Sequence, residues 1–529
     1  MIVGTTRFEA RGQRLQPASI GFHTAGLLAG AALLVWASSA GAIECTDFSA
    51  GIAINQPDLG AETDVDIAYD GDGVLHAVWL SGPAPAATAD VYYARSTDGG
   101  QSFGPSVKVN RSDHTAVRFG PTLDVDPDGT IYVAWTDERE GWPDLDIYFS
   151  KSIFSKSGGG LSFTKEVRVN DWIIDDQSIQ AIRVTPAGTV YIGWISHIPA
   201  NQPSVRITRS VGGLPFEASR QVNGGAIDTS CECCNIDITS IGEEEVFVAF
   251  MANLRYVRDI FVSRSTDGGW TFGDPVQVND GHWFVPACPS SGPRLLLGPE
   301  GHLNMVWLDG HDNEMSSVYY ARSTDGGKTF LHHTRMNEIG DPVYAHPRVA
   351  VTPDGTVHAV WERFNQATSA INLDYARSTD GGATFSTRCP ISGGSPFAQW
   401  LPSIAAAPDG GLSLAWSDER KGTLDVFVAT AGASTAIGSE GGPRVVWRAA
   451  PNPFRNWVGI EPASWEGSAA GPLAGFSVVD VRGRHVREVR ASGLPLGWDG
   501  RDDRGSHVAA GTYFLRFPGG PSLRVTRLH

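Results

Sequence analysis

Positive charge is scarce in this chain: 41 Lys+Arg stand against 58 Asp+Glu, a formal charge of −17 over 529 residues. Phosphate backbones are held by clustered Lys and Arg, so a nucleic-acid partner is excluded. Long apolar runs are lacking too. Beyond the first 45 residues no stretch is long enough to span a bilayer, and no transmembrane helix is expected in the mature chain. With only 6 Cys, disulfides cannot be the main scaffold. Apolar residues make up 41%, with 16 Trp, 23 Phe and 12 Tyr, which excludes a disordered chain, and 62 Gly punctuate it too often for a helical one.

The first residues read as an address. Arg7, Arg11 and Arg14 precede an apolar run from Ala25 to Trp36, followed by Ala40-Gly41-Ala42. A basic segment, an apolar core of a dozen residues and a small-x-small site define a signal peptide over 1–42 and predict a secreted or cell-surface protein. A dozen apolar residues are too few for an anchor. Without them the charge becomes −19.

The rest is repetitive. A short apolar strand, a Pro/Asp-Gly turn, a strand closing on an aromatic residue, a loop, an aromatic strand, a tight turn and a strand ending in Val-Asn recur in order. The closing aromatics are Trp79, Trp135, Trp194, Phe250, Trp307, Trp361 and Trp416, spaced by 56, 59, 56, 57, 54 and 55 residues. Each unit reads as a four-stranded antiparallel sheet. In "VDPDGTIYVAW" (125–135) Gly129 supplies the positive φ of the turn, and "DVYYARS" alternates as a half-buried strand does. One sheet cannot bury both its faces; sheets stacked radially can, which makes a β-propeller. Unit seven (Leu401 to about Ala433) stops after three strands, while "GIAINQPD" (51–58) resembles the fourth-strand text "SVKVNRSD" (106–113). Seven blades are therefore expected, the N-terminal strand completing the last.

The turns "STDGGQSF" (96–103), "STDGGWTF" (265–272), "STDGGKTF" (323–330) and "STDGGATF" (378–385) match the Asp box, and residues 51–434 resemble the sialidase-like propellers with bacterial neuraminidase repeats. Units two and three keep only "GGGLSF" and "GGLPF", and unit seven has no box. The box residues are Ser96, Asp98, Gly100 and Phe103; Ser265, Asp267, Gly269 and Phe272; Ser323, Asp325, Gly327 and Phe330; Ser378, Asp380, Gly382 and Phe385. They read as turn-formers, since an Asp side chain accepts hydrogen bonds from the N–H groups of its own turn.

Function then belongs to the opposite face, where the loops after each closing aromatic and between blades gather. The rim candidates are Glu138, Arg139, His197, His282, Asp309, His311, His346, Glu362, Arg363, Asp418 and Arg420. The plainer reading of loops such as "TDERE" (136–140) and "SDERK" (417–421) is a solvated corner with a local Arg–carboxylate pair. The resemblance implies, for a sialidase, three arginines on a carboxylate, a Tyr nucleophile with a Glu partner, and an Asp acid. The substitutes here are Arg118, Arg294 and Arg348, with Tyr344 and Asp137 at the rim, although blade one, "AETDVDIAY" (61–69), carries no Arg. Arg294 and Arg348 suit inter-blade ion pairs equally well.

"CECC" (231–234) and Cys288 fall opposite each other when units four and five are superposed. A disulfide between Cys288 and one of Cys231, Cys233 and Cys234 is the favoured use in an oxidising compartment, with a soft-metal thiolate site as the alternative; Cys45 and Cys389 remain to pair. From Gly441 the text changes: Lys disappears and the net charge turns to +5, leaving −24 on residues 43–440. "APNPF", "FSVVDVRGRHVREV", "GWDGRDDRG" and "GTYFLRF" imply a small sandwich over 441–529, resembling the immunoglobulin-like domain of flagellar-hook capping proteins that recurs as a type IX secretion sorting signal.

The expectation is thus an all-β, exported, monomeric propeller with a C-terminal sorting or attachment domain that meets the secretion machinery. It would bind a glycan or a surface protein without a cofactor, its acidity leaving room for a bridging Ca²⁺. A sialidase-type glycoside hydrolase and a structural scaffold are the alternatives.

Overall fold

The computed structural model describes residues 43–528 except 55–59, 84–87, 113–114, 142–143, 155–159, 172–175, 198–202, 212–214, 312–315, 339–342, 366–367, 392–396, 433–445, 451–453, 465–475, 481–484, 491–495 and 517–521. The signal-peptide reading of 1–42 lies outside the described residues.

Seven antiparallel sheets follow one another as blades. Their inner strands are Ala61–Tyr69, Arg118–Val125, Gln177–Val184, Asp237–Ile241, Arg294–Leu297, Val343–Val351 and Gln399–Ala406. The chain is a seven-bladed β-propeller. Blade 7 takes its outer strand from the N-terminus: Ile52 pairs with Val428 and Ala53 with Phe427. Blade 2 carries an additional strand, Leu161–Phe163, on Asp146–Phe154, at the place where that unit has lost its Asp box.

The second strand of most blades, for instance Ile131–Asp137 or Leu303–Asp309, is buried at every position because a blade packs on each of its faces. The closing aromatics form its heaviest element and are at most 1% exposed. Each of five is the direct cross-strand partner of an aromatic on the third strand and stacks on it: Trp79 on Tyr92, Trp135 on Tyr148, Phe250 on Phe261, Trp307 on Tyr319 and Trp416 on Phe427, at centroid distances of 5.9–6.4 Å. Such pairs add about 0.5–1.5 kcal/mol beyond the area they bury.

The Val-Asn ending of the fourth strand has its own reason. Asn110, Asn170, Asn223, Asn279 and Asn337 each accept the N–H of a third-strand residue through Oδ1 at 2.7–2.9 Å. The outer strand pairs over two residues in most blades, and this amide continues the ladder where its backbone departs.

The Asp boxes join third and fourth strands. In blade 6 the Ser378 hydroxyl donates to Asp380 (2.7 Å), Asp380 accepts the Thr384 N–H (3.0 Å) and hydroxyl (2.6 Å), and the Gly382 N–H donates to Ser378 Oγ (2.8 Å). Those donors, led by the Thr384 hydroxyl, hold the Asp380 carboxyl down to about 2. The boxes at Ser96/Asp98/Gly100, Ser265/Asp267/Gly269 and Ser323/Asp325/Gly327 repeat the pattern. Phe330 is buried under its turn, and Phe385 meets Tyr320 of the preceding blade edge-on at 5.3 Å.

At the C-terminal end, a three-stranded sheet (Val446–Ala450, Val458–Ser464, Leu496–Trp498) and a four-stranded one (His485–Val489, Phe476–Asp480, Gly511–Arg516, Ser522–Arg527) share one apolar core of Phe454, Ile460, Phe476, Trp498, Leu515 and neighbours, a small β-sandwich.

Candidate functional site

The inner strands carry the feature that builds the site. In blades 1, 2, 3, 6 and 7 the pairing of inner and second strand slips near the strand start, a β-bulge that re-aims a side chain. At the bulge one residue takes a left-handed backbone: Asp64 (φ 56°), Gly120 (φ 48°), Ile179 (φ 60°), His346 (φ 47°) and Leu401 (φ 50°), with Ser290 (φ 52°) at the approach to blade 5. For a side-chain-bearing residue this costs about 1–2 kcal/mol, and such strain clusters at functional sites. Together with Cys233 and Asn235 of blade 4 these residues surround one cavity of about 260 Å³, so that all seven blades contribute to its wall.

Carboxylates stitch the wall together below the bulges. Asp66 accepts Thr122 Oγ1 (3.0 Å) and the Leu123 N–H (3.1 Å) of blade 2, and Ser403 Oγ (2.9 Å) of blade 7. Asp124 accepts the Val184 N–H of blade 3 (2.7 Å), and Asp237 the Leu295 N–H of blade 5 (2.8 Å). Burial raises the carboxyl groups of Asp124 and Asp237.

The titratable groups that line the cavity are Arg294, Arg348, His346, Asp64 and Asp66. Arg294 and Arg348 have no carboxylate within ion-pair distance among the described residues; Arg348 donates from Nη1 to the Pro347 carbonyl (3.3 Å). Burial, and then the neighbouring Arg294, lower the Arg348 guanidinium to about 9. Burial raises the Asp64 carboxyl, against the opposing pull of the Gly120 N–H, His346 and Arg348. His346 Nδ1 lies 3.0 Å from Glu362 Oε1, the oxygen that also accepts the Leu401 N–H.

The other candidates fall elsewhere. Arg118 is 2% exposed and spent on Asp137 (2.9 Å), Asp90 (3.0 Å) and the Ala89 carbonyl (2.6 Å). Asp137 is fully buried, accepting from Trp135 Nε1 (3.1 Å) and Arg139 Nη2 (2.6 Å) as well. Tyr344 is 1% exposed, in the apolar cluster that spans blades 4 to 6. Of the proposed catalytic set, then, Arg294 and Arg348 meet in the cavity, while Arg118, Tyr344 and Asp137 do not line it. Among the described residues neither arginine comes within ion-pair distance of a neighbouring blade's carboxylate, although Arg294 of blade 5 pulls on the Asp237 carboxyl of blade 4.

The "DER" loops form the local Arg–carboxylate pairs of the plainer reading, each anchored on a buried Asp while Glu140, Glu419 and Lys421 stay exposed. Asp137 ties Trp135 to Arg139; Asp418 ties Trp416 Nε1 (2.8 Å) to Arg420 (2.6 Å); Asp309 ties Trp307 Nε1 (3.5 Å) to His311 Nδ1 (2.9 Å). An indole N–H in a core needs an acceptor, and the carboxylate two residues on supplies it. Arg139 reaches Glu166 (3.1 Å) and covers Tyr148, and Arg363 bonds Asp374 (2.9 Å). Glu138 and His197 stand at strand ends, held by backbone N–H bonds to Val117 and Asp176. His282 is 72% exposed and rests on Asp259 (2.6 Å).

The sequence reading missed Asp64, Asp66, Gln180, Asn235 and Ser290. A signal was present: Asp64, Gly120, Ile179, Asn235, His346 and Leu401 each stand fifteen residues before a closing aromatic. The cysteines are joined as Cys45–Cys389, Cys231–Cys234 and Cys233–Cys288, the last linking blade 4 to blade 5.

No family model and no curated protein matches the chain. Among solved structures it is similar to a Hadza microbial sialidase, Hz136 (13% identity, 73% of this chain and 69% of that one, TM-score 0.43). It is also similar to a leech intramolecular trans-sialidase (12%, 71% and 68%, 0.39) and to an ulvan lyase of polysaccharide lyase family PL25 (12%, 73% and 94%, 0.45).

Proposed function

We propose that this propeller is an extracellular binding module that holds the end of a polar glycan in the cavity at its channel mouth. The supporting observation is the pair Arg294 and Arg348, lining the cavity with no carboxylate within ion-pair distance among the described residues, while Tyr344 and Asp137 lie outside it. A desolvated cation held beyond ion-pair distance of the nearest carboxylates, here Asp64, Asp66 and Asp237, is stabilised by a ligand that brings an acceptor into direct contact. Size narrows the occupant. About 260 Å³ is just under the roughly 300–1,000 Å³ of pockets for drug-sized ligands, which suits one sugar ring better than a peptide segment. In this reading residues 1–42 direct export, and residues 441–529 are an immunoglobulin-like sorting or attachment domain that leaves the protein secreted or on the cell surface.

A hydrolase reading has one observation in its favour. Asp64 lies in the cavity with its carboxyl raised by burial, which is what a general acid needs. A glycan array and a fluorogenic sialoside assay separate the readings. Binding should weaken about ten- to a hundredfold in Arg348→Ala at unchanged melting temperature, the loss of one charge-assisted contact, with negligible turnover. Turnover abolished by Asp64→Asn would promote the hydrolase; neither binding nor turnover would leave a scaffold.

A further inference from the structure

Two independent disulfides need two close pairs of sulfur atoms, and nothing requires the pairs to meet. In this chain they do. The Sγ atoms of Cys231, Cys233, Cys234 and Cys288 all lie within 4.8 Å of one another, although three come from the loop entering blade 4 and the fourth from the loop entering blade 5. Cys231 Sγ and Cys233 Sγ, which are not bonded to each other, are 3.7 Å apart. A zinc ion with four thiolates at about 2.3 Å sets its sulfurs at tetrahedron corners roughly 3.8 Å apart. The four cysteines thus occupy the space of one such tetrahedron.

We propose that, with its cysteines reduced, this cluster is a four-thiolate site for one Zn²⁺ ion, placed in the wall of the channel. The bonded and ligated forms are two oxidation states of the same sulfurs. Each disulfide that opens takes two electrons from an external dithiol or phosphine and two protons, from the dithiol itself or from the water that turns the phosphine into its oxide, and each thiol that ligates releases its proton to solvent. Cys231–Glu232–Cys233–Cys234 contains the C-x-x-C spacing of zinc knuckles, and Cys288 closes the site from the neighbouring blade.

The surroundings fit the ligated form. Cys231 and Cys234 are at most 1% exposed and belong to the apolar cluster, which shields the site from water, while Cys288 is exposed and offers an entry path. The Ser290 N–H donates to Cys288 Sγ at 3.3 Å, with Ser290 Oγ also at 3.3 Å, the kind of outer-shell contact that orients a thiolate. Met251 Sδ lies 3.6 Å from Cys234 Sγ. Glu232, between the cysteines, is turned outward onto Arg258 (3.1 Å) and Asn253 (3.0 Å), so it does not compete for the ion. Four thiolates around Zn²⁺ leave a net charge of −2, and Cys233 shares its cavity with Arg294 and Arg348. The site would then also supply those arginines with a counter-charge, independently of any glycan.

The test uses the full chain reduced anaerobically with a phosphine, stripped by a chelator and titrated with Co²⁺ as a spectroscopic stand-in. One equivalent should produce a thiolate-to-metal charge-transfer band in the near ultraviolet and tetrahedral d–d bands in the visible, and one equivalent of Zn²⁺ should abolish both. Cys288→Ser should weaken Co²⁺ binding at least about tenfold, and Zn²⁺ should raise the melting temperature of the parent but not of that variant. Replacing Cys45 and Cys389 together by Ser should leave the bands intact. A reduced chain that keeps its near-ultraviolet circular dichroism yet shows no charge-transfer band overturns the proposal. So does an unchanged Co²⁺ affinity in Cys288→Ser, and so does a reduced chain that unfolds and is not restored by Zn²⁺.

Discussion

Single residues in this propeller earn their places through the bonds that burial forces on them, and His358 is the clearest case. It is 1% exposed, with Nδ1 2.7 Å from the Tyr375 hydroxyl and Nε2 3.1 Å from Thr352 Oγ1. Burial lowers its imidazole to about 4, only partly opposed by Asp354. The unfolded chain binds this proton below about pH 6.5, while the folded one refuses it until about pH 4. The stability this neutral ring supports is therefore full above about 6.5 and falls as the pH drops toward 4, by about 2 kcal/mol at pH 5. Urea unfolding at pH 7.5 and pH 5 should show His358→Gln losing less stability than the parent over that interval, whatever its starting value. Equal losses would remove His358 from the acid response. None of this was legible in "TVHAVW", because an alternating strand does not say whether its polar position faces water or a neighbouring hydroxyl.

Elements were more legible than contacts, and the Asp box shows why. Its text defines a turn, and the hydrogen bonds of Asp98, Asp267, Asp325 and Asp380 are the ones that text implies. The second glycine, however, does more than supply a positive φ. A Cβ on Gly382 (φ 90°) would sit 1.8 Å from the Tyr320 ring of blade 5, and one on Gly327 (φ 78°) 3.1 Å from Phe247 of blade 4. The box is thus a point where one blade leans on the preceding one, which no single unit reveals. Gly355 offers the control, having φ 84° in an open hairpin turn with nothing within 4 Å. Gly355→Ala should cost only the left-handed penalty, about 1–2 kcal/mol. Gly382→Ala adds a clash with a buried ring and should cost at least about 2 kcal/mol more. Chemical denaturation of the two variants decides it, and equal costs would mean that the blades do not press on each other there. The buried Asp137, Asp309 and Asp418 clamps teach the same lesson in reverse. Their charged text reads as a surface, yet an indole N–H two residues earlier needed an acceptor inside.

At the scale of the molecule the decisive inference came from the chain ends, because a ring of sheets has to be closed by something. Unit seven offered three strands and residues 51–58 offered the text of a fourth, and the pairing of Ile52 with Val428 joins them. What the repeat could not tell is how much else travels with that strand. The Ser49 N–H bonds the Thr430 carbonyl (2.9 Å) and the Ile54 N–H that of Val426 (3.0 Å). Ile43 and Phe48 enter the apolar cluster around Tyr375, Ile404, Leu412 and Phe427, and Cys45 is bonded to Cys389 on the outer strand of blade 6. Burial of Ile43, Phe48 and Ile54 contributes about 1.5–3 kcal/mol each, and a native disulfide about 2–4 kcal/mol. Together they approach the whole 5–15 kcal/mol by which a typical domain is stable. Deleting residues 43–54 should therefore abolish the cooperative melting of the propeller or lower its midpoint drastically. Replacing Cys45 and Cys389 by Ser, which removes the bond and leaves the strand, should shift the midpoint only in part. Differential scanning calorimetry of the three chains separates strand from bond. If the deletion melted like the parent, the ring would not depend on its clasp, and blade 7 would have to hold against blade 1 through contacts such as Ser403 with Asp66, Ser413 with Tyr69 and the packing of Ala415 and Val426 on Trp79.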